Sequence, residues 1–77
     1  MVNIKYLLIS TTAGREQDVY KRLGSMKEVS EVVMVSGEYD ILVKVRTGGA
    51  HEAGNLVKNR INEIPGVAEI HLLSGKD

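Results

Sequence analysis

The feature that most constrains this chain is the way its apolar residues change their spacing from one segment to the next. Ile4 to Ile9 is a short, nearly continuous apolar run with no helical period, and it reads as a strand. Thr11-Thr12-Ala13-Gly14 interrupts it. From about Arg15 the spacing turns helical, with Val19, Leu23 and Met26 on one stripe and Glu16, Asp18, Lys21 and Arg22 between them. Glu16 and Asp18 at the start and Lys27 at the end suit the helix dipole, while Gly24 weakens the last turn. Val32 to Val35 and Tyr39 to Val45 are two strands separated by Ser36-Gly37-Glu38, the pattern of an antiparallel hairpin. After Thr47-Gly48-Gly49 a second helical stripe carries Ala53, Leu56, Val57, Ile61 and Ile64. Pro65-Gly66 stops it, because proline cannot donate the next helical hydrogen bond. Val67 to Leu73 is the last strand, and Ser74 to Asp77 is a polar tail.

The order is β-α-β-β-α-β over residues 1–77, one domain. Crossovers between parallel strands are right-handed, so both helices fall on one face of a four-stranded antiparallel sheet. This is an α+β, ferredoxin-like fold. A chain of 77 residues buries only about 60% of the surface its unfolded form exposes, so burial against a second subunit would be valuable.

The faces of the strands point the same way. With helices on one side only, the other side of a monomer should be polar. Instead, Ile4, Tyr6 and Leu8 oppose Leu7 and Ile9 in the first strand, and Val32 and Met34 oppose Val33 and Val35 in the second. Only the third strand alternates clearly, Ile41, Val43 and Val45 against Leu42, Lys44 and Arg46. An uncovered apolar face marks an interface. The expectation is a sheet-to-sheet homodimer, with Leu7, Ile9, Val33 and Val35 in the contact.

Composition excludes several functions. There are 10 Lys plus Arg against 10 Asp plus Glu, which leaves no basic surplus for neutralising nucleic-acid phosphates. With no cysteine, disulfides and thiolate chemistry are out. No apolar run reaches the length of a membrane span, and no signal peptide precedes the first strand, so a cytoplasmic protein away from the membrane is expected. His51 and His71 lack the spacing of a metal pair, and Thr47-Gly48-Gly49 lacks the Lys-Ser/Thr of a phosphate loop. Val, Met and Ile dominate the strands, with Tyr39 only at a strand end, which is a poor platform for base stacking. Neither an enzyme nor a cofactor or metal protein is expected. The segment with the most chemistry is Gly37-Glu38-Tyr39-Asp40, where a glycine free to take positive φ lies beside acidic and hydroxyl groups. An ordinary hairpin turn accounts for the same residues.

Val29 to Val35, the Gly37-Glu38-Tyr39-Asp40 hairpin, the apolar run Ile41 to Val45 and Ile64-Pro65-Gly66-Val67 resemble the effector-binding domain of the Lrp/AsnC (leucine-responsive, or feast/famine) transcriptional regulators. The resemblance covers almost the whole chain. It implies a dimer through the sheets, dimers assembled into an octameric ring, and an amino-acid effector bound between dimers. It also implies a stand-alone form without the helix-turn-helix, partnering full-length Lrp/AsnC-type regulators and making no direct contact with nucleic acid. Carried over, the ligand residues are Gly37, Glu38, Tyr39 and Asp40, with Ile70 and Leu72 on the last strand. The family usually has hydroxyl residues at those last two positions. That departure favours a more apolar ligand, or an assembly partner that binds no effector. An ACT-type regulatory domain, with Gly14 between the first strand and helix, is a further alternative.

Overall fold

Ile41, Val43 and Val45 of the central strand have no solvent exposure, and their alternation with Leu42, Lys44 and Arg46 orients the whole sheet. The computed structural model describes residues 3–73. The polar tail read at 74–77 lies outside them. Strand β1 (Asn3–Thr11) leads to helix α1 (Glu16–Gly24), then β2 (Val29–Met34) and β3 (Ile41–Thr47). Helix α2 (Ala50–Leu56) continues into a π-helical turn (Val57–Ile61), and β4 (Val67–Leu73) closes the fold. The sheet order is β2-β3-β1-β4, every neighbouring pair antiparallel. The expected ferredoxin-like architecture is therefore present.

One core forms between the sheet and the helices. Leu7, Ile9, Ile41, Val43 and Val45 supply the sheet side, and Val19, Leu23, Leu56, Ile61 and Ile64 the helix side. Each such side chain contributes about 1.5–3 kcal/mol by leaving water. Helix α1 ends at Gly24, so Lys27 lies beyond its last turn. There the Ser25 hydroxyl donates to the Arg22 carbonyl at 2.8 Å.

Two bulges and one π turn adjust the faces. Val29 pairs with Val45 but Glu31 with Lys44, so β2 carries an extra residue at Ser30. Val29 and Val32, three apart, can then both pack on the core. A second bulge, where Thr11 pairs with Val67 and Ser10 with Glu69, does the same for Val67 and Ile70. In the second helix Leu56 and Ile61 are five residues apart, which an α-helix would turn away from a common face. The Asn62 N–H donates to the Val57 carbonyl, an i→i+5 bond of 2.9 Å. That wider turn keeps both apolar residues inside.

Pro65-Gly66 is more than a helix stop. Gly66 has φ +102°, and a Cβ there would lie 2.7 Å from Cβ of Arg15. Its carbonyl accepts the Thr12 N–H at 2.8 Å. The connection to β4 thus packs against the start of α1 at a distance only glycine allows.

Candidate functional site

The 35–40 loop joins β2 to β3 and is held at its base by backbone pairing. The Val35 N–H donates to the Asp40 carbonyl at 2.9 Å, and the Asp40 N–H donates to the Ile9 carbonyl at 2.9 Å. The Asp40 side chain adds a lock that the sequence does not announce. Its Oδ2 accepts the Thr11 N–H at 2.8 Å and the Thr11 hydroxyl at 3.2 Å. Thr11 sits opposite the β4 bulge, where its amide has left the regular ladder, and the carboxylate satisfies it. At the tip Gly37 takes φ +121° and, with Ser36 and Glu38, is exposed.

Tyr39 turns back over the sheet. Its ring stacks on His71, centroids 6.1 Å apart and planes 30° from parallel. His71 pairs with Leu8 and so lies on the face away from the helices. Ile70 and Leu72 pair with Ile9 and Leu7 and belong to the helix side. Ile70 is half-buried against the core, and Leu72 is exposed. The six carried-over residues therefore divide. Glu38 and Gly37 form the exposed tip, Asp40 anchors the loop to β1, Tyr39 meets His71 on one face, and Ile70 and Leu72 stand on the other. Their common ground is the end of β1, where Ile9 touches the Asp40 amide on one flank and pairs with Ile70 on the other.

The uncovered face is real, but two residues expected on it are not there. Leu7 and Ile9 have no solvent exposure and face the helices, because Leu7 pairs with Val43 and Ile9 with Ile41. The opposite parity of β1 supplies the open face: Ile4, Tyr6 and Leu8, the first two 43% and 41% exposed. Val33, 41% exposed, stands beside Leu42 as expected. Val35 lies past the end of β2, half-buried. Leu73, opposite Tyr6, extends the patch to β4, and Glu31 faces Lys44 across β2 and β3. A shallow hollow of about 70 Å³ runs between Tyr6, Val33 and Leu42.

Electrostatically the most distinct group is Glu28, away from the hairpin. Burial pushes its carboxyl up. The nearby N–H of its own backbone, the hydrogen bond from Arg60, and the positive charges of Arg60 and Lys27 outweigh burial and hold it below the usual 4.5. Among the described residues no three His, Cys, Asp or Glu side chains gather as a metal site. No helix among them is long and apolar enough to cross a membrane.

A β-α-β-β-α-β sheet with both helices on one face, one open apolar face and a glycine-tipped hairpin is an α+β domain of the ferredoxin-like class. The sequence pattern of the Lrp/AsnC ligand binding domain matches residues 5–74, and the chain belongs to that family. The HTH-type transcriptional regulator FL11 of Pyrococcus horikoshii is 33% identical over 70 residues, 91% of this chain and 46% of the regulator. The chain thus spans about half the length of the curated relatives it matches. The crystal structure of FFRP-DM1 superposes with a TM-score of 0.87 at 33% identity, covering 95% of this chain and 96% of the other. The regulator NMB0573 of Neisseria meningitidis, solved with L-Met, shares the fold at TM-score 0.81 and 15% identity, over 91% of this chain and 47% of its own. Family membership replaces the ACT-type alternative.

Proposed function

We propose that this domain binds an amino-acid effector and assembles through its open sheet face in the service of transcriptional regulation. The observation that carries the reading is the 35–40 hairpin. Its base is locked to β1 through Asp40 and Thr11, while Gly37 and Glu38 remain free to meet a ligand. A rigid base with an exposed polar tip pre-organises a contact and lowers the cost of ordering it on binding. The open face, with Ile4, Tyr6, Val33 and Leu73 exposed, supports a homodimer through the sheets, and dimers of this kind can close into a ring that places hairpins between them. Glu38 is the group on the hairpin best suited to an ammonium, and Tyr39 and His71 present a polar edge beside it.

A second reading has its own observation. Asp40 already spends Oδ2 on Thr11, and Ile70 and Leu72 offer no hydrogen bonds. An assembly partner of full-length regulators with no effector fits those facts. A thermal-shift screen of the purified chain against the twenty amino acids separates the two. A ligand at 100 times its dissociation constant stabilises by about 2.7 kcal/mol, a shift of roughly 10 °C or more for a domain this small. A selective shift that is lost in Glu38→Ala supports effector binding at the hairpin. A flat screen, with light scattering still showing an oligomer, supports the assembly partner.

A further inference from the structure

Helix α1 carries a polar stripe beside its buried one. Arg15, Asp18, Arg22 and Ser25 recur at helical spacing, which keeps them on one side of the helix, next to the core residues Val19 and Leu23. With Lys21 they line one wall of a groove of about 420 Å³, and Ile64 and Pro65, from the connection into β4, line the other. The groove lies on the helix side of the sheet, so it stays open when the opposite face is covered. No residue of the 35–40 hairpin lines it.

The wall opposite the helix is held in place. The Thr12 N–H donates to the Gly66 carbonyl at 2.8 Å, the Val67 N–H donates to the Ile64 carbonyl at 3.1 Å, and Gly66 packs directly on Arg15. Ile64, 6% exposed, gives an apolar floor, and the exposed Pro65 gives an apolar lip. The charge is one-sided. Three cations face a single carboxylate, Asp18, which Arg15 already meets at 3.4 Å. Lys21 and Arg22 form no ion pair among the described residues. In a chain with as many acidic as basic residues, such a cluster is a local excess of positive potential that draws anionic groups. The apolar floor and Asp18 favour an acidic polypeptide over a nucleic acid. A polypeptide can set an apolar side chain on Ile64 and Pro65 and keep its carboxylates clear of Asp18. A phosphate backbone repeats its charge along the whole groove, past Asp18, and brings nothing apolar for the floor.

We infer that this groove docks an extended acidic segment of a partner protein. One carboxylate of the segment lies on Arg15, another on Lys21 and Arg22, and an apolar side chain between them lies on Ile64 and Pro65. Arg15 and Arg22 are seven residues apart, about 10 Å at roughly 1.5 Å per helical residue. Three residues of extended chain span the same distance at roughly 3.3 Å each. The fitting pattern is therefore two carboxylates three residues apart with an apolar residue between them. The fixed Ile64–Pro65 wall lowers the cost of ordering the site on binding. The assignment goes beyond the effector and assembly readings and rests on none of their residues.

Fluorescence anisotropy of a labelled peptide, four repeats of Asp-Glu-Leu, titrated with the full chain, tests it. The expected result is saturable binding that weakens about fivefold or more in Arg22→Glu and in Lys21→Glu, and that weakens as salt is raised. A peptide with serine in place of each leucine should lose a comparable factor. Lys58→Glu makes the same charge change on the π turn, outside the groove, and should bind like the parent chain. All three positions are exposed, and thermal unfolding checks that each variant keeps the fold. No saturable binding, equal affinity in Arg22→Glu and the parent, or an equal loss in Lys58→Glu overturns the groove. Equal binding of the serine peptide reduces the effect to long-range attraction and overturns the docked segment. A DNA duplex that binds as tightly as the peptide, and is lost in the same variants, overturns the acidic-protein assignment in favour of phosphates.

Discussion

Replacing Asp40 tests whether the hairpin is anchored as the structure indicates. The carboxylate accepts two hydrogen bonds from Thr11, one from the backbone at 2.8 Å and one from the hydroxyl at 3.2 Å, in a part-buried setting. Hydrogen bonds to charged groups contribute about 1.5–3 kcal/mol, and removing the acceptor strands the Thr11 amide. The second bond is long and the site only part-buried, so Asp40→Ala should cost about 2 kcal/mol. For a domain of this size that lowers Tm by roughly 8–16 °C. Asp40→Asn keeps an uncharged acceptor and should lose about half as much. Urea unfolding followed by circular dichroism, at one fixed protein concentration because association shifts the midpoint, measures both. Glu38→Ala, at the exposed tip, is the control and should stay within about 0.5 kcal/mol of the parent. An Asp40→Ala variant as stable as that control would refute the anchoring role. Asp40 would then be free for a ligand, and its loss would be felt in binding alone.

Three other outcomes are expected. Leu42→Asp or Val33→Asp, on the open face, should yield folded monomers by light scattering, whereas Leu7→Ala in the core should cost about 2–5 kcal/mol of stability; a folded oligomer with an unchanged mass in both face variants would reject the interface. Gly66→Ala forces a residue with a Cβ into φ +102° and against Arg15, and should destabilise by about 2 kcal/mol or more in the same urea assay; a neutral result would mean that the turn relaxes freely. Because Glu28 ionises more readily in the folded chain than in the unfolded one, its contribution is present above its ordinary value near 4.5 and fades as pH falls through the lower folded value. The stability gap between the parent and Glu28→Gln, measured by urea midpoints from neutral pH downward, should therefore narrow in that acid range; a gap independent of pH would remove the Arg60 pairing as its cause.

How much of this was legible beforehand varies from strand to strand. The β3 alternation of Ile41, Val43 and Val45 with Leu42, Lys44 and Arg46 is a direct reading of which side meets helices. The strand β1 offers no such reading, since Tyr6, Leu7, Leu8 and Ile9 are apolar on both sides, and hydrophobicity cannot choose between them. The expectation of Leu7 and Ile9 on the open face fails for that reason, because the pairing with Val43 and Ile41 places them in the core. The hairpin was visible from Gly37 and the flanking β-branched runs. The partner of Asp40 was not, because Thr11 is distant in sequence and its amide is freed only by a bulge. The Tyr39–His71 stack and the Glu28–Arg60 pair are long-range contacts of the same kind.

What this amino-acid sequence determines by itself is whatever depends on neighbours along the chain. That covers the succession of strands and helices, the stop at Pro65-Gly66, the turn at Gly37, and an apolar surplus too large for one covered face. Tertiary structure decides what depends on register. It selects which parity of β1 is buried, where β2 and β4 bulge so that residues three apart share a face, and how a π turn keeps Leu56 and Ile61 inside together. The physical reason is the two-residue period of a strand. A shift of one residue exchanges its two faces, and when both are apolar only hydrogen bonding to an unambiguous neighbour such as β3 can fix the choice.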